Sequence, residues 1–231
     1  MLKWLGGALL ALIVLCALPV LLLRWLHPPT SAFMLSARLQ AALDHDPTYH
    51  THYEWVDLER ISPNAALAVI ASEDQQFPYH DGFDFHSIRE AVRASSHGHK
   101  LRGASTISQQ VAKNLFLWSG HSFVRKGLEA WFTVLIELIW PKERILEVYL
   151  NIAQFGRDIF GVEAAAHAYF HEPAARLTSG QAAVLAAVLP NPRQLHADRP
   201  SAYVESRRVW ILAQMRGLGG RSYLRTIEAG G

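Results

Sequence analysis

SPNAALAVIASE, residues 62–73, is the stretch from which we read the fold. Ser62 and Pro63 suit the N-cap and the first helical position, because a serine hydroxyl accepts hydrogen bonds from free N–H groups and proline has no N–H to leave unpaired. The segment that follows is rich in alanine and contains no further glycine or proline. The pattern therefore predicts a helix that ends near Glu73.

Two acids, Glu73 and Asp74, stand where this apolar helix ends. A carboxylate beside apolar groups has a raised pKa and is suited to proton transfer. Alternatively, the two acids only solvate the helix end, although negative charge is unfavourable at a helix C-terminus. The residues alone leave both interpretations open.

The residues just downstream raise the question of a metal site, because four side chains that can ligate metals lie close together: His80, Asp81, Asp84 and His86. Asp84 is better explained as the N-cap of a helix that carries Ile88 and Val92. We therefore expect no metal site here.

A second block, residues 102–114, reads RGASTISQQVAKN. Thr106 and Gln109 form a capping-box pattern, which predicts a helix start. A helix N-terminus with hydroxyl groups can bind an anionic or hydroxylated ligand, although an ordinary capped surface helix explains the pattern too. Three polar residues share one face of this helix by their spacing: Gln110, Lys113 and Asn114.

A third block places Arg125 and Lys126 three or four residues before Glu129, hence on the same helix face. A surface ion pair is the simplest interpretation. However, residues 131–140 are apolar on nearly every side except at Glu137, which predicts that this helix is buried. Pro141 should end it.

Positive charge is concentrated in the middle of the chain. Between residues 89 and 126 there are seven Lys or Arg against one acid, Glu90, although the whole chain carries only +2. This favours an anionic partner. Nucleic acid fits poorly, because no basic repeat with interleaved aromatics is present. A phosphate on a lipid or a lipid-linked substrate fits better.

The N-terminal region is unusually apolar. Residues 4–23 contain no charge, and twenty residues match the roughly 30 Å of a bilayer core. We predict a transmembrane helix rather than a cleaved signal peptide, which would be shorter and followed by small residues. Lys3 on one side and Arg24 and Arg38 on the other leave its orientation undecided. The single cysteine, Cys16, excludes an internal disulfide.

Further helices are predicted from Lys142, from Gly161, over 178–189 and from Pro200. No alternating apolar and polar run appears, so the fold class is all-α. We divide the chain into a cytoplasmic tip and anchor (1–27), a linker with a first helix (28–54) and one compact domain (55–231).

The chain resembles the bacterial peptidoglycan glycosyltransferases, the module that stands alone in monofunctional transglycosylases and begins the class A penicillin-binding proteins. The resemblance covers roughly residues 55–215, and Ala104 departs from it where glycine is commoner. It implies a lysozyme-like helical head with a small membrane-proximal lobe. The matching blocks are Glu73-Asp74-x-x-Phe77-x-x-His80-x-Gly82-x-Asp84, Gly103-Ala104-Ser105-Thr106-Ile107-x-Gln109-Gln110-x-x-Lys113-Asn114, Arg125-Lys126-x-x-Glu129, Lys142 to Ala165, and Ala182 to Pro192.

The resemblance implies that Glu73 is the general base that takes the proton from an acceptor 4-hydroxyl, giving a β-1,4 bond with inversion. Glu129 would be a second catalytic carboxylate that assists the pyrophosphate, directly or through a divalent cation such as Mg²⁺. No tightly bound cofactor is implied. The implied substrate-binding residues are Asp74, Phe77, His80, Thr106, Gln110, Lys113, Asn114, Arg125 and Lys126.

The implied substrates are lipid II, a polyprenyl-linked disaccharide-pentapeptide, and the growing glycan strand. The domain would face the periplasm from the bacterial inner membrane, together with other wall-synthesis proteins. Two alternatives stay open: a lytic transglycosylase or muramidase, which cleaves the strand, and a non-catalytic anchored protein that binds wall precursors.

A second membrane contact is predicted at residues 115–118 and Phe123, because these apolar residues directly follow the basic helix and flank a loop. The alternative is that Phe116 and Trp118 close the core. Exposure in the folded structure separates the two interpretations.

Overall fold

The computed structural model of the protein describes residues 2–96, 105–120 and 122–228. The glycines around residues 95–104 also predict a loop in the sequence, but residues 97–104 lie outside the described residues, and so does Ala104, which departs from the family pattern. The same holds for Lys100 and Arg102 of the basic stretch.

The described chain is helical, as the sequence predicts. Its helices, in chain order, are α1 (Leu2–Leu22), α2 (Ala32–Leu43), α3 (Pro63–Glu73), α4 (Phe85–Ser96), α5 (Ile107–Phe116), α6 (Phe123–Ile139), α7 (Lys142–Ile152), α8 (Val162–Phe170), α9 (Ser179–Val188), α10 (Ala202–Gly217) and α11 (Arg225–Glu228). Short 3-10 turns lie at Leu58–Arg60, Phe77–Tyr79, Ala174–Arg176 and Gly220–Leu224.

The helix starts confirm the local predictions. Ser62 caps α3 by accepting from the backbone N–H of Asn64, and Pro63 is the first helical residue. Thr106 and Gln109 form the expected capping box at the start of α5. Asp84 accepts from the backbone N–H of Ser87 and so caps α4. These starts depend on neighbours in sequence and were therefore readable from it.

Helix α3 lies at the centre of the core. All residues from Ala65 to Ala71 are buried. It packs against α9, which is also buried from Ala182 to Val188, and against α10. A second group of helices, α5, α6 and α7, packs together on the other side of the C-terminal end of α3. Burial therefore holds the end of α3 between two helical layers.

A small β-ladder departs from the expectation of helices alone. Strand β1 (His52–Tyr53) pairs in parallel with β2 (Ile159–Phe160). Asn151 holds this region by accepting from Val56 N at 2.9 Å and donating to Val56 O at 2.9 Å. Gly161 has φ +84°, and a Cβ there would lie 2.6 Å from Asn151 O. Strands of two residues are too short to show alternation in sequence.

The apolar N-terminal run forms α1. Within the described part of the chain, no helix is both long and apolar enough to span a membrane, so the structure does not support the predicted span at 4–23. The end of α1 contacts the domain: Trp140 Nε1 donates to Val20 O at 2.7 Å, and Arg144 Nη2 donates to Leu26 O at 2.6 Å.

The prediction that α6 is buried is wrong for one of its faces. Phe123 is 99% exposed and Leu138 is 77% exposed. Trp131 and Val134 lie on the same face and are exposed too. This happens because α6 packs against α5 on its opposite face and meets α1 near its C-terminal end, which leaves this face exposed.

Candidate functional site

Glu73 is the last residue of α3 and lies at the meeting point of three further helices. Its Oε2 accepts a hydrogen bond from Gln110 Nε2 of α5 at 2.9 Å. Its charge interacts with Lys113 of α5 and Arg207 of α10. Within the described residues, Oε1 of Glu73 has no hydrogen-bond partner. One carboxylate oxygen is thus held while the other is free to accept a proton.

Burial raises the pKa of Glu73 above its ordinary value, since a carboxylate loses hydration at the end of the buried helix α3. The hydrogen bond from Gln110 and the charges of Arg207 and Lys113 act in the opposite direction. Asp74 adds to the rise through its own negative charge. A carboxylate with a raised pKa is a stronger base than an exposed one, which suits general-base catalysis.

Asp74 points away from Glu73 and joins two segments of the site. Its Oδ2 accepts from the backbone N–H of Ile107 at 2.9 Å, the first residue of α5. Both of its oxygens lie 3.0 Å from His80 Nε2. Gly82 N–H donates to His80 Nδ1 at 3.1 Å, so His80 must carry its proton on Nε2. Asp74 and His80 therefore fix the start of α5 relative to Glu73.

Thr106 and Phe77 also serve the framework of the site. Thr106 is buried, and its hydroxyl donates to Gly82 O at 2.7 Å. Phe77 has no exposed surface, and the ammonium of Lys142 lies 4.7 Å from its ring centroid. Phe77 thus lies inside the fold, whereas Thr106, although buried, lines the cleft beside Glu73.

Lys113, Arg125 and Lys126 form a cationic cluster around Glu129. Arg125 Nη1 bonds Glu129 Oε2 at 2.6 Å, and Lys126 bonds Glu129 Oε1. Glu129 and Arg125 are both buried, so their ion pair lies inside the protein, whereas the Lys126 side chain is half exposed. Burial lowers the pKa of Lys113, while Glu129 raises it and Arg125 lowers it, which shows that these groups are close.

Two buried polar atoms beside the cluster, Asn114 Oδ1 and Arg125 Nε, have no hydrogen-bond partner among the described residues. Unsatisfied buried groups cost free energy unless a ligand or water completes them.

A cleft of about 700 Å³ opens on the Glu73 side of the site. Its walls come from the end of α3, the turn that follows it, the start of α4 and the start of α5. The described lining residues are Ala71, Ser72, Glu73, Asp74, Gln75, Gln76, Tyr79, His80, Phe83, Asp84, Phe85, His86, Ser87, Ser105 and Thr106. Glu73 thus borders the cleft and interacts with Lys113 at the edge of the cationic cluster.

The described residues contain no group of three or more His, Cys, Asp or Glu side chains arranged to hold a metal ion. His80 is engaged by Asp74 and Gly82, and Asp84 caps α4. Glu129 has both oxygens paired with cations.

Sequence reasoning missed three features of the site. Arg207 stacks on Trp210 at 4.5 Å and acts on Glu73, yet no motif marks it. Tyr149 belongs to the fourth matching block but received no role. Lys142 bonds Glu137 Oε1 at 2.8 Å and His80 O at 2.5 Å, which ties α6 to the loop after α3.

The family model described as Transglycosylase matches residues 40–216. A protein of Xanthomonas campestris pv. campestris (strain B100), named biosynthetic peptidoglycan transglycosylase, is 50% identical over 97% of this chain and 91% of its own length. A protein of the same name from Xylella fastidiosa (strain 9a5c) is 52% identical over 94% of this chain and 89% of its own length.

Proposed function

The chain belongs to the transglycosylase family of biosynthetic peptidoglycan enzymes, which polymerise glycan strands, and from that premise we propose that it uses lipid II with Glu73 as general base. The observation that carries this proposal is the position of Glu73. Its carboxylate borders the cleft, has one oxygen held by Gln110, and is electrostatically coupled to Lys113.

In the proposed step, Glu73 takes the proton of the acceptor 4-hydroxyl while that oxygen attacks the donor anomeric carbon. The bond from this carbon to the pyrophosphate oxygen breaks, and polyprenyl pyrophosphate leaves with the electron pair. Because attack comes from the opposite face, an α-linked donor gives a β-1,4 bond. The proton on Glu73 then passes to solvent.

The departing pyrophosphate is the anion for which the cationic cluster provides charge. Lys113, Arg125 and Lys126 are positioned to stabilise it. We assign Glu129 the role of holding Arg125 and Lys126 in place, since both of its oxygens are paired with them.

The resemblance also implies a divalent cation at Glu129. We propose no reaction step for it, because Arg125 and Lys126 already pair with this carboxylate. Asp74, His80, Phe77 and Thr106 become positioning residues in this account. They set the place of Glu73 and the start of α5 through Asp74.

The experiment that tests polymerisation uses purified full-length protein with lipid-linked disaccharide and, separately, with isolated cell wall. We expect consumption of the lipid-linked substrate, growth of glycan strands and no release of wall fragments. A lytic transglycosylase or muramidase would dissolve the wall and leave the lipid-linked substrate intact. A non-catalytic protein would bind the substrate without turnover.

We also propose that residues 4–23 anchor the chain in the inner membrane, with the domain in the periplasm. Support comes from the uncharged apolar sequence of this run and from the location of a lipid-linked substrate. The second membrane contact is proposed for the exposed face of α6 and for Trp118, which is 47% exposed. Leu115 and Leu117, which the sequence also suggested, are buried.

This apolar face continues toward the end of α1. Arg24 of the segment after α1 donates to Ile139 O at the end of α6, so the two elements meet there. Leu22 and Trp25, which are close to Arg24 in the chain, are exposed. A lipid surface would cover both exposed regions together, with aromatic rings at headgroup depth.

A further inference from the structure

A buried tyrosine is linked to the Glu73 carboxylate through one glutamine. The Tyr149 hydroxyl donates to Gln110 Oε1 at 3.2 Å, and Gln110 Nε2 donates to Glu73 Oε2 at 2.9 Å. Tyr149 lies in the middle of α7 and is 1% exposed. It is not among the residues that line the cleft, and its hydrogen-bonded link to Glu73 runs through Gln110.

The orientation of the Gln110 amide decides what Glu73 meets. An amide has an acceptor oxygen on one side and a donor nitrogen on the other. In the observed orientation, the oxygen faces a hydroxyl donor and the nitrogen faces a carboxylate. If the amide turned over, its oxygen would face Glu73 Oε2 and the Tyr149 hydroxyl hydrogen would lose its acceptor inside the protein.

We propose that Tyr149 is a positioning residue that acts through Gln110, holding the amide so that its N–H group always faces the Glu73 carboxylate. This inference rests on the proposed role of Glu73 as general base. Tyr149 lies in the fourth matching block, and the reaction step itself does not use it. The inference gives this residue a function.

The effect of the Gln110 amide on Glu73 can be separated from the effects of the charged and titratable groups around it. Asp74 follows it in the chain, Lys113 faces it from α5, Arg207 from α10 and Tyr149 from α7. Burial holds the pKa of Tyr149 well above its usual value, so the hydroxyl remains a donor over the whole working range. Replacing it by phenylalanine leaves the other three groups in place.

Loss of the Tyr149 hydroxyl should let the Gln110 amide turn over part of the time, which removes a donor from ionised Glu73. The base would then protonate at higher pH. In full-length Tyr149→Phe, assayed with lipid-linked disaccharide, we expect the acidic limb of kcat/KM to move up by about half a pH unit to one unit. We expect kcat at neutral pH to fall by about 3- to 10-fold with little change in KM.

Further variants test whether Tyr149 acts on Glu73 through Gln110. Gln110→Met removes the amide with little change in volume, and we expect an acidic limb shifted at least as far as in Tyr149→Phe. In the Gln110→Met background, Tyr149→Phe should cause no additional shift. Tyr169→Phe is the matched control, because it removes a hydroxyl that donates to Phe155 O at 3.0 Å outside this network, and its pH profile should equal that of the unaltered protein.

An unshifted profile in Tyr149→Phe would overturn the inference, as would an equal additional shift in the Gln110→Met background. If Tyr149→Phe does not fold, an unshifted profile in Gln110→Met alone is sufficient to overturn it. Glu73→Gln separates this failure from that of the proposed function. An inactive Glu73→Gln with an unshifted Tyr149→Phe rejects only the tyrosine, whereas an active Glu73→Gln rejects the base itself.

Discussion

Asp74→Asn changes one oxygen of a buried carboxylate into an NH₂ group without changing its shape. Asp74 accepts from Ile107 N–H and from His80 Nε2, and asparagine has only one oxygen with which to accept. If that oxygen keeps Ile107, the new NH₂ group faces the N–H of His80. His80 cannot move its proton to the other nitrogen, because Gly82 N–H already donates to Nδ1. The two donors are then left with one neutral oxygen in place of two charged ones, so the charge-assisted hydrogen bond from His80 is lost.

The size of the effect follows from the hydrogen bond that is lost. A hydrogen bond to a charged group contributes about 1.5 to 3 kcal/mol to stability. Removing a buried charge offsets part of this cost, so we take the lower part of the range as more representative. For a domain of this size, about 1 kcal/mol corresponds to about 2 to 4 °C in Tm, so a loss of about 1.5 to 2 kcal/mol gives a decrease of about 3 to 8 °C.

The assay is thermal unfolding of the full-length protein in detergent micelles, followed by circular dichroism at a fixed scan rate. Asp81→Asn is the matched control, because Asp81 is an exposed acid in the same loop and its replacement should leave Tm unchanged. Turnover of Asp74→Asn should fall as well, since α5 carries Gln110 and Lys113. A Tm equal to that of Asp81→Asn would refute the account of Asp74 as the link between α3 and α5.

Three further predictions concern the base, the cations and the membrane face. Lys113→Ala and Arg125→Ala should each lower kcat/KM by about 10- to 100-fold, and together by less than the product, because both act on the same pyrophosphate. Burial raises the pKa of Glu73 in the folded protein. The free energy of unfolding of wild type should therefore decrease, relative to that of Glu73→Gln, as pH rises from the ordinary glutamate range through this pKa. Unfolding of both proteins at pH 4 and at pH 8 measures this difference. Nitroxide labels at Phe123 and Leu138 in bilayer nanodiscs should be reached by a lipid-soluble relaxation agent more than by a water-soluble one.

Each of these measurements has a matched comparison. For the cations, Arg176→Ala removes an exposed arginine on another part of the surface and should leave kcat/KM unchanged, while fully additive losses would contradict a shared anion. For Glu73, equal stability differences at pH 4 and pH 8 would contradict a raised pKa. For the membrane face, a label at Val209, which is 57% exposed on α10, should prefer the water-soluble agent. Labelling uses a background in which Cys16, the single cysteine, is serine.

Local signals allowed much of the fold to be predicted. The caps at Ser62, Asp84 and Thr106 depend on residues within a few positions, so their sequence patterns were sufficient. The β-ladder joins His52 to Ile159, a tertiary pairing that no short window can show. The exposed face of α6 was misjudged, because an apolar sequence does not reveal whether protein or another medium covers it.

The candidate site was predictable only in part, for the same reason. Glu73, Gln110 and Lys113 were named from their blocks, and the fold brings them together. Arg207 reaches the site from α10 through packing, and no motif marks it. Tyr149 of α7 lies in the fourth matching block, but its hydrogen bond to Gln110 is a tertiary contact that the block does not reveal.

The most direct test of the central claim is the polymerisation rate of full-length Glu73→Gln with lipid-linked disaccharide. An amide cannot take the proton of the acceptor hydroxyl, so the account predicts a rate lower by about 10² to 10⁴, with substrate binding and the far-UV spectrum retained. A rate above about a tenth of the unaltered enzyme, which is far outside the range expected for loss of a general base, would contradict the assignment of Glu73.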